Sequence, residues 1–229
     1  GIGFPVFMAG FARAQAEARE RLGITSHLIM CFLRHLPGEA ALETLEQARP
    51  FFPQIAGVGL DSGERGNPPQ KFVEAFARAR TDGLRAVAHA GEEGPPEYIR
   101  DSLDLLGAER IDHGVACEQD PALVGRLVEE GIALTVCPLS NKKLQVFPDL
   151  RDHNLRRLLQ RGVRITINSD DPAYFGGYIG DNYLEAQQAL GLTRDEVVAI
   201  ARNGIEAAWL DEARRAELLT ELAGYAGQG

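Results

Sequence analysis

Short apolar runs recur along this chain, and the segments between them have apolar residues at helical spacing. Runs with almost no polar residues are typical of parallel strands that helices cover on both faces of a sheet. A proline or a capping residue begins most of the intervening segments, and a glycine ends them, as expected of helices. The pattern predicts an α/β fold of repeated βα units, with six strands at about residues 27–33, 55–60, 84–88, 109–112, 132–136 and 163–167.

A distinctive polar residue follows five of these runs. The residues are Asp61, His89, His113, Asn141 and Asp170, at spacings of 28, 24, 28 and 29 residues. The carboxyl ends of all strands in a parallel βα array lie on one face, and in a β/α barrel that face holds the active site. We therefore expect these polar side chains to converge.

The predicted fold is a TIM (β/α)8-type barrel of which six βα units are present, followed by extra C-terminal helices from about residue 180. The alternative is an open doubly wound sheet, but no glycine-rich phosphate loop follows any run. A closed barrel has eight strands. Because only helical segments follow the last run, we expect the two missing units to precede Gly1. Residues 1–229 are therefore expected to form a single, N-terminally incomplete domain.

Composition excludes several classes of partner. The net charge of -9 and the pI near 5.1 disfavour a surface for nucleic acid or anionic membrane, which requires a basic patch. No apolar run approaches the length of a membrane span. The three cysteines are widely spaced and form no C-x-x-C pair, which predicts reduced thiols in a cytoplasmic protein. A small-molecule substrate is the expected partner, and the sequence leaves the oligomeric state open.

The stretch His89-Ala-Gly-Glu92 combines two groups that hydrolytic metal sites use. A histidine can be a metal ligand, and a nearby glutamate can carry protons for the metal's water. The small residues between them leave room beside both side chains. The alternative is an ordinary histidine and glutamate in a surface loop.

Three motifs stand at successive run ends: His89-Ala-Gly-Glu92, Ile111-Asp-His113-Gly114 and Ser169-Asp-Asp171-Pro172. In this order they resemble the adenosine/adenine deaminase family of the metal-dependent amidohydrolases. The segment Thr135-Val-Cys-Pro-Leu-Ser-Asn141 resembles the adenine deaminase branch more than the nucleoside enzymes. The resemblance covers essentially the whole chain.

The resemblance implies one zinc ion (Zn2+) per active site. In that family the ligands are a His-x-His pair on the first strand, a histidine on the fifth and an aspartate on the eighth. His89 matches the fifth-strand ligand and Asp170 the eighth-strand ligand. Glu92 matches the proton donor, and His113 matches the histidine that assists the attacking hydroxide.

The resemblance also implies that Asp171 hydrogen-bonds N7 of the purine, whereas the alternative for this residue is a helix cap before Pro172. Asp61 and Ser62 either line the base pocket or simply begin a loop. The residues expected to have structural rather than catalytic roles are Cys137, Asn141 and His153.

The sequence departs from the family pattern because it contains no His-x-His pair, so only two of the four ligands are present. The predicted function is hydrolysis of adenine to hypoxanthine and ammonia, a step of purine salvage. Adenosine deamination and a catalytically incomplete fragment or binding module remain the alternatives, and we expect the 229 residues alone to lack activity. A cytidine-type zinc deaminase is excluded, because that class needs H-x-E followed by P-C-x-x-C.

Overall fold

The computed structural model describes residues 2–227 and contains one parallel sheet of six strands. The strands are β1 (Leu28–Leu33), β2 (Ile55–Asp61), β3 (Arg85–Ala90), β4 (Arg110–His113), β5 (Ala133–Val136) and β6 (Arg164–Ile167). Every neighbouring pair is parallel. The predicted α/β class and the six strands are confirmed.

The order of the strands distinguishes the two architectures considered from the sequence. A doubly wound sheet reverses its strand order at a switch point, whereas here the order is β1-β2-β3-β4-β5-β6. Such a continuous order is that of a β/α barrel. Within residues 2–227, β1 pairs only with β2 and β6 only with β5, so the two outer strands do not pair with each other.

The connections between strands are largely helical, and three longer helices follow β6. The α-helices of the described residues are α1 (Phe4–Leu22), α2 (Gly38–Ala48), α3 (Val73–Thr81), α4 (Pro96–Asp101), α5 (Pro121–Glu129), α6 (Pro138–Lys143), α7 (Leu155–Gln160), α8 (Pro172–Phe175), α9 (Ile179–Leu190), α10 (Arg194–Ala207) and α11 (Glu212–Ala226). Helix α10 is tied to β6 because Asn203 Nδ2 donates to Ile165 O at 2.9 Å. None of the helices in this part of the chain combines the length and apolarity needed to cross a membrane.

The core lies between the sheet and its covering helices. Val58, Leu60, Ile111 and Leu134 on the strands are fully buried, and so is Leu127 on α5. Each such side chain contributes about 1.5–3 kcal/mol through removal of its apolar surface from water. This packed sheet provides a rigid base for the side chains at the carboxyl ends of its strands.

Three strands end later than the sequence predicts. Strands β2, β3 and β4 extend to Asp61, Ala90 and His113, so Asp61, His89 and His113 lie within strands rather than after them. Asn141 does not end a strand: it lies on α6, which begins because Pro138 occupies the first helical turn and favours helix initiation there. The polar residue that we assigned to the end of β5 therefore reaches the site from a short helix.

Candidate active site

Four of the predicted polar residues converge at the carboxyl end of the sheet. His89 Nε2 lies 3.8 Å from Asp61 Oδ1, and His113 Nε2 lies 3.7 Å from Asp170 Oδ2. The two imidazole rings are 4.8 Å apart between centroids. The predicted convergence is present, and it joins residues from β2, β3, β4 and the loop after β6.

Backbone strain is concentrated at the same place. Among the described residues other than glycine, positive φ angles occur at Ser62 (81°), His113 (62°), Asp170 (57°) and Gln145 (61°). Left-handed backbone is unfavourable for residues with a Cβ atom and costs on the order of 1–3 kcal/mol each. Three of the four belong to the set of predicted site residues, and such strain typically clusters at functional sites.

Glu92 has the electrostatic character of a proton donor. Burial, followed by the charges of Asp170 and Glu64, raises the pKa of Glu92 to about 7, although His89 opposes this shift. Asn141 Nδ2 donates to Glu92 Oε1 at 2.7 Å, and His113 Nδ1 lies 3.1 Å from the same oxygen. A carboxyl group with a pKa near the working pH is well suited to general acid catalysis.

The two histidines have opposite electrostatic environments. Burial lowers the pKa of His113 well below its ordinary value, and the neighbouring His89 and His153 lower it further. Burial also acts to lower the pKa of His89, but Asp112, Asp61 and other carboxylates outweigh it and raise that pKa. The surroundings of His89 are therefore strongly negative, which favours a bound cation.

Among the described residues, one group of donor atoms at this site is close enough to hold a metal ion, and it includes the predicted ligand Asp170 but not the predicted ligand His89. His113, Cys137 and Asp170 each place one possible ligand atom within 4.8 Å of the others. His89 Nδ1 is buried without a hydrogen-bond partner and lies 3.6 Å from Asp112 Oδ2. Burial and nearby carboxylates raise the pKa of the Cys137 thiol well above its usual value, which disfavours the thiolate that binds metal. The ligand atoms that remain are histidine nitrogens and carboxylate oxygens, which also bind the metal in many zinc hydrolases.

Sequence reasoning missed Glu64, a carboxylate that holds the His89-Ala-Gly-Glu92 turn. Glu64 is only 3% exposed, and it accepts hydrogen bonds from three successive backbone N–H groups. The distances are 2.6 Å from Gly91 N, 3.0 Å from Glu92 N and 2.8 Å from Glu93 N. Its position three residues after Asp61, in the loop that follows β2, was the available sequence signal.

Arg34 holds the backbone at the beginning of the same turn. The side chain is completely buried, and its Nη1 donates to His89 O at 2.6 Å while its Nε donates to Asn67 O at 2.9 Å. Its guanidinium also lies 5.6 Å from the centre of the Tyr98 ring. A charged residue directly after the apolar run of β1 could have identified it. Arg34 and Glu64 thus fix the main chain between the predicted metal ligand His89 and the predicted proton donor Glu92.

The structure gives the remaining predicted residues other local partners. Asp171 Oδ1 accepts from the backbone of Ala173 and Tyr174, so Asp171 caps α8, as in the alternative considered above. Ser62 Oγ lies 2.7 Å from His35 Nδ1. The substrate roles of Asp171, Asp61 and Ser62 stay predictions.

Asn141 and His153 are more closely connected to the site than the sequence indicated. Both are buried, Asn141 contacts Glu92 and His113, and His153 contacts Asn141. The expectation that they are simply structural overlooked these contacts, because only the tertiary fold brings α6 and the start of α7 against β4.

A cavity of about 330 Å³ adjoins Glu92 on the side facing the loop after β5. Its walls include Arg65, Val115, Phe147 and Asn154. Of the predicted site residues this cavity touches Glu92 alone, so His89, His113 and Asp170 lie outside its walls.

Parallel βα units here bring histidines and carboxylates together at their carboxyl ends, in surroundings that favour a cation. This arrangement is that of an amidohydrolase-type enzyme. The chain belongs to the adenosine deaminase family, whose model matches residues 1–225. Enzymes of this family hydrolyse C–N bonds in cyclic amidines. The predicted family and barrel class are confirmed.

Similar proteins include adenine deaminases. That of Acinetobacter baylyi is 54% identical over 222 residues, which are 97% of this chain and 67% of the relative. The crystal structure of the Arthrobacter aurescens adenine deaminase has a TM-score of 0.93 and 46% identity, covering 95% of this chain and 67% of that one. A Burkholderia ambifaria amidohydrolase with bound Zn has a TM-score of 0.89 and 28% identity, covering 96% and 62%. The chain thus spans about two thirds of the length of these relatives.

Proposed function

We propose that the whole protein, rather than residues 1–229 alone, hydrolyses adenine to hypoxanthine and ammonia. The observation that carries the proposal is the partly buried Glu92 carboxyl, whose pKa is raised by burial to about 7 and which lies beside His113 at the strand ends. Displacement of the amino group from C6 requires a proton on the adjacent ring nitrogen and an oxygen nucleophile on carbon. The similarity to adenine deaminases supports adenine as the substrate.

In the overall reaction a water oxygen bonds to C6 as the C6–N bond breaks, and the two water protons restore Glu92 and leave with the amino group as ammonia. We assign the proton donation, the orientation of the nucleophile and the binding of the base to residues of this chain. Glu92 donates its proton to the ring nitrogen next to C6, and the partly buried setting keeps it protonated near neutral pH. His113 hydrogen-bonds and orients the attacking oxygen as charge develops on it. Asp171, Asp61 and Ser62 bind the base, with Asp171 accepting a hydrogen bond from a protonated N7.

His89 and Asp170 are the residues that would hold zinc. When bound, zinc supplies a water molecule that ionises near neutral pH. A cation on Asp170 would also reduce the repulsion between adjacent Asp170 and Asp171. The Zn-containing amidohydrolase supports zinc as the metal.

We also propose a cytoplasmic role in purine salvage, consistent with free thiols at Cys31, Cys117 and Cys137.

Replacement of Glu92 by glutamine tests the proposal, because glutamine keeps the shape and removes the transferable proton. Adenine turnover, followed in the purine absorbance band, should fall by roughly 10²–10⁴, the range typical of a general acid. Zinc content should not change. Glu97→Gln, on the exposed start of α4, is the matched control and should retain full activity.

Two results would contradict this assignment. Loss of zinc in Glu92→Gln would make Glu92 a ligand rather than an acid. Turnover of adenosine equal to or faster than that of adenine would replace the substrate by the nucleoside while keeping the chemistry.

A further inference from the structure

A buried chain of hydrogen bonds connects the backbone at the start of α7 to the catalytic candidates. The backbone N–H of Leu155 donates to His153 Nδ1 at 3.1 Å. His153 Nε2 lies 3.2 Å from Asn141 Oδ1. Asn141 Nδ2 lies 2.7 Å from Glu92 Oε1 and 3.2 Å from His113 Nδ1. His153, Asn141 and His113 are each at most 1% exposed, so water does not compete for these bonds.

The first donor in this series of hydrogen bonds determines the direction of every later bond. A backbone N–H only donates, so His153 Nδ1 must be the unprotonated nitrogen. Burial, followed by the charge of Arg157, lowers the pKa of His153 to about 3, so its ring is neutral and carries its proton on Nε2. This Nε2–H donates to Asn141 Oδ1. The amide of Asn141 is thereby oriented with its NH2 group toward Glu92 and His113.

The oriented amide places a donor against His113 Nδ1. An NH2 group has two hydrogens, which match the two acceptors that it faces, Glu92 Oε1 and His113 Nδ1. A proton on Nδ1 would point at this donor. The remaining position for the proton of His113 is Nε2, the nitrogen on the side of Asp170.

We propose that Asn141 and His153 are positioning residues that fix His113 as the Nε2–H tautomer and hold the Glu92 carboxyl in place. The site then presents a hydrogen-bond donor from His113 to the attacking oxygen. This functional consequence rests on the proposed deamination, whereas the tautomer itself does not.

A competing arrangement is defined by the same atoms. His113 Nδ1 and Glu92 Oε1 are 3.1 Å apart, so a proton on Nδ1 would be donated to an ionised Glu92. The NH2 group of Asn141 would then face an N–H group, and one of its hydrogens would lose its acceptor. The two arrangements differ in which nitrogen of His113 carries hydrogen, which is directly measurable.

Nitrogen NMR of ¹⁵N-histidine-labelled protein provides the test, because protonated and unprotonated ring nitrogens have well-separated shifts. The sequence has only five histidines, so single substitutions assign every signal. We expect both His153 and His113 to be protonated on Nε2 and unprotonated on Nδ1. A proton on His113 Nδ1, or on His153 Nδ1, would overturn the proposal in the unaltered protein, whether or not it turns over adenine.

Substitutions at His153 test the functional link. His153→Phe preserves the ring that packs on Phe147, with centroids 4.3 Å apart, but removes the donor to Asn141. His153→Gln presents both a donor and an acceptor and should restore the chain. The exposed His27→Gln is the control for loss of a histidine.

We expect His153→Phe to mix the tautomers of His113 and to lower kcat for adenine about 10–100-fold, the usual effect of removing an outer-shell partner. KM should change little because His153 does not touch the base, and His153→Gln should recover most of kcat. An unchanged His113 spectrum and unchanged kcat in a folded His153→Phe protein would refute the link.

Should that variant not fold, the spectrum of the unaltered protein still decides the tautomer. Failure of adenine turnover in every variant would count against the proposed function and leave the tautomer result standing.

Discussion

Replacing Glu64 by glutamine is expected to destabilise the turn that carries His89 and Glu92. The Oε1 atom of Glu64 accepts from Gly91 N, and Oε2 accepts from both Glu92 N and Glu93 N. Glutamine retains one oxygen and replaces the other by an NH2 group. Whichever way the amide turns, at least one backbone N–H then faces a donor in a buried position.

The magnitude follows from the hydrogen bonds that are lost or weakened. A hydrogen bond to a charged acceptor contributes about 1.5–3 kcal/mol, and an unsatisfied buried donor costs about 1–3 kcal/mol. One bond is replaced by an unpaired donor and two lose the charge of their acceptor, so we expect a loss of about 3–5 kcal/mol in the free energy of unfolding. For a chain of this size that lowers Tm by roughly 6–20 °C.

Thermal unfolding followed by circular dichroism measures this change. Glu109→Gln is a suitable control, because Glu109 is an exposed carboxylate paired with Arg85 at the opposite end of the sheet. An exposed pair of this kind contributes at most about 1 kcal/mol. A fall in Tm for Glu64→Gln no larger than that of the control would refute the reasoning, and would mean that the three N–H groups find other acceptors.

Two further predictions follow from the charges at the strand ends. Asp170→Ala should lose bound zinc and activity together, whereas Asp171→Asn should keep zinc and raise KM. Metal analysis together with kinetics distinguishes the two variants. Loss of zinc in Asp171→Asn would reverse the roles assigned to the two aspartates. Because the folded-state pKa of Glu92 is raised from 4.5 to about 7, its contribution to stability is present at low pH and lost as pH rises through 7. Denaturant unfolding of the metal-free protein should therefore show the difference in unfolding free energy between the unaltered protein and Glu92→Gln falling by about 3 kcal/mol from pH 4 to pH 8, and a constant difference would disprove the raised pKa.

The sequence was sufficient for the parts of the fold that depend on local pattern. Apolar runs predicted six strands, and their regular alternation with helical segments predicted the parallel order. It also predicted the convergence of Asp61, His89, His113 and Asp170, because strand direction alone places carboxyl ends together. The catalytic and binding roles of these residues remain predictions.

The contacts that hold the site could not be read from the same pattern. Glu64 lies in a loop, and Arg34 directly follows a strand. Asn141 lies on a short helix that follows β5. Each of these residues holds the site through a hydrogen bond to a partner that is 27 or more residues away in the sequence. Examples are Gly91 for Glu64 and Glu92 for Asn141. No periodicity encodes such pairs, since they depend on how neighbouring βα units pack.

The supports of this site are polar and buried, which has a consequence for how the reacting groups respond to charge. Arg34 and Glu64 hold the backbone of the turn with opposite charges, while Asn141 and His153 hold side chains with neutral groups. A charged support near Glu92 shifts its pKa, and Glu64 does raise it. A neutral amide can instead orient Glu92 and His113 without adding net charge. Replacing Asn141 by aspartate should therefore be more harmful than a loss of one hydrogen bond, because a new negative charge would raise the pKa of Glu92 further and turn a donor into an acceptor.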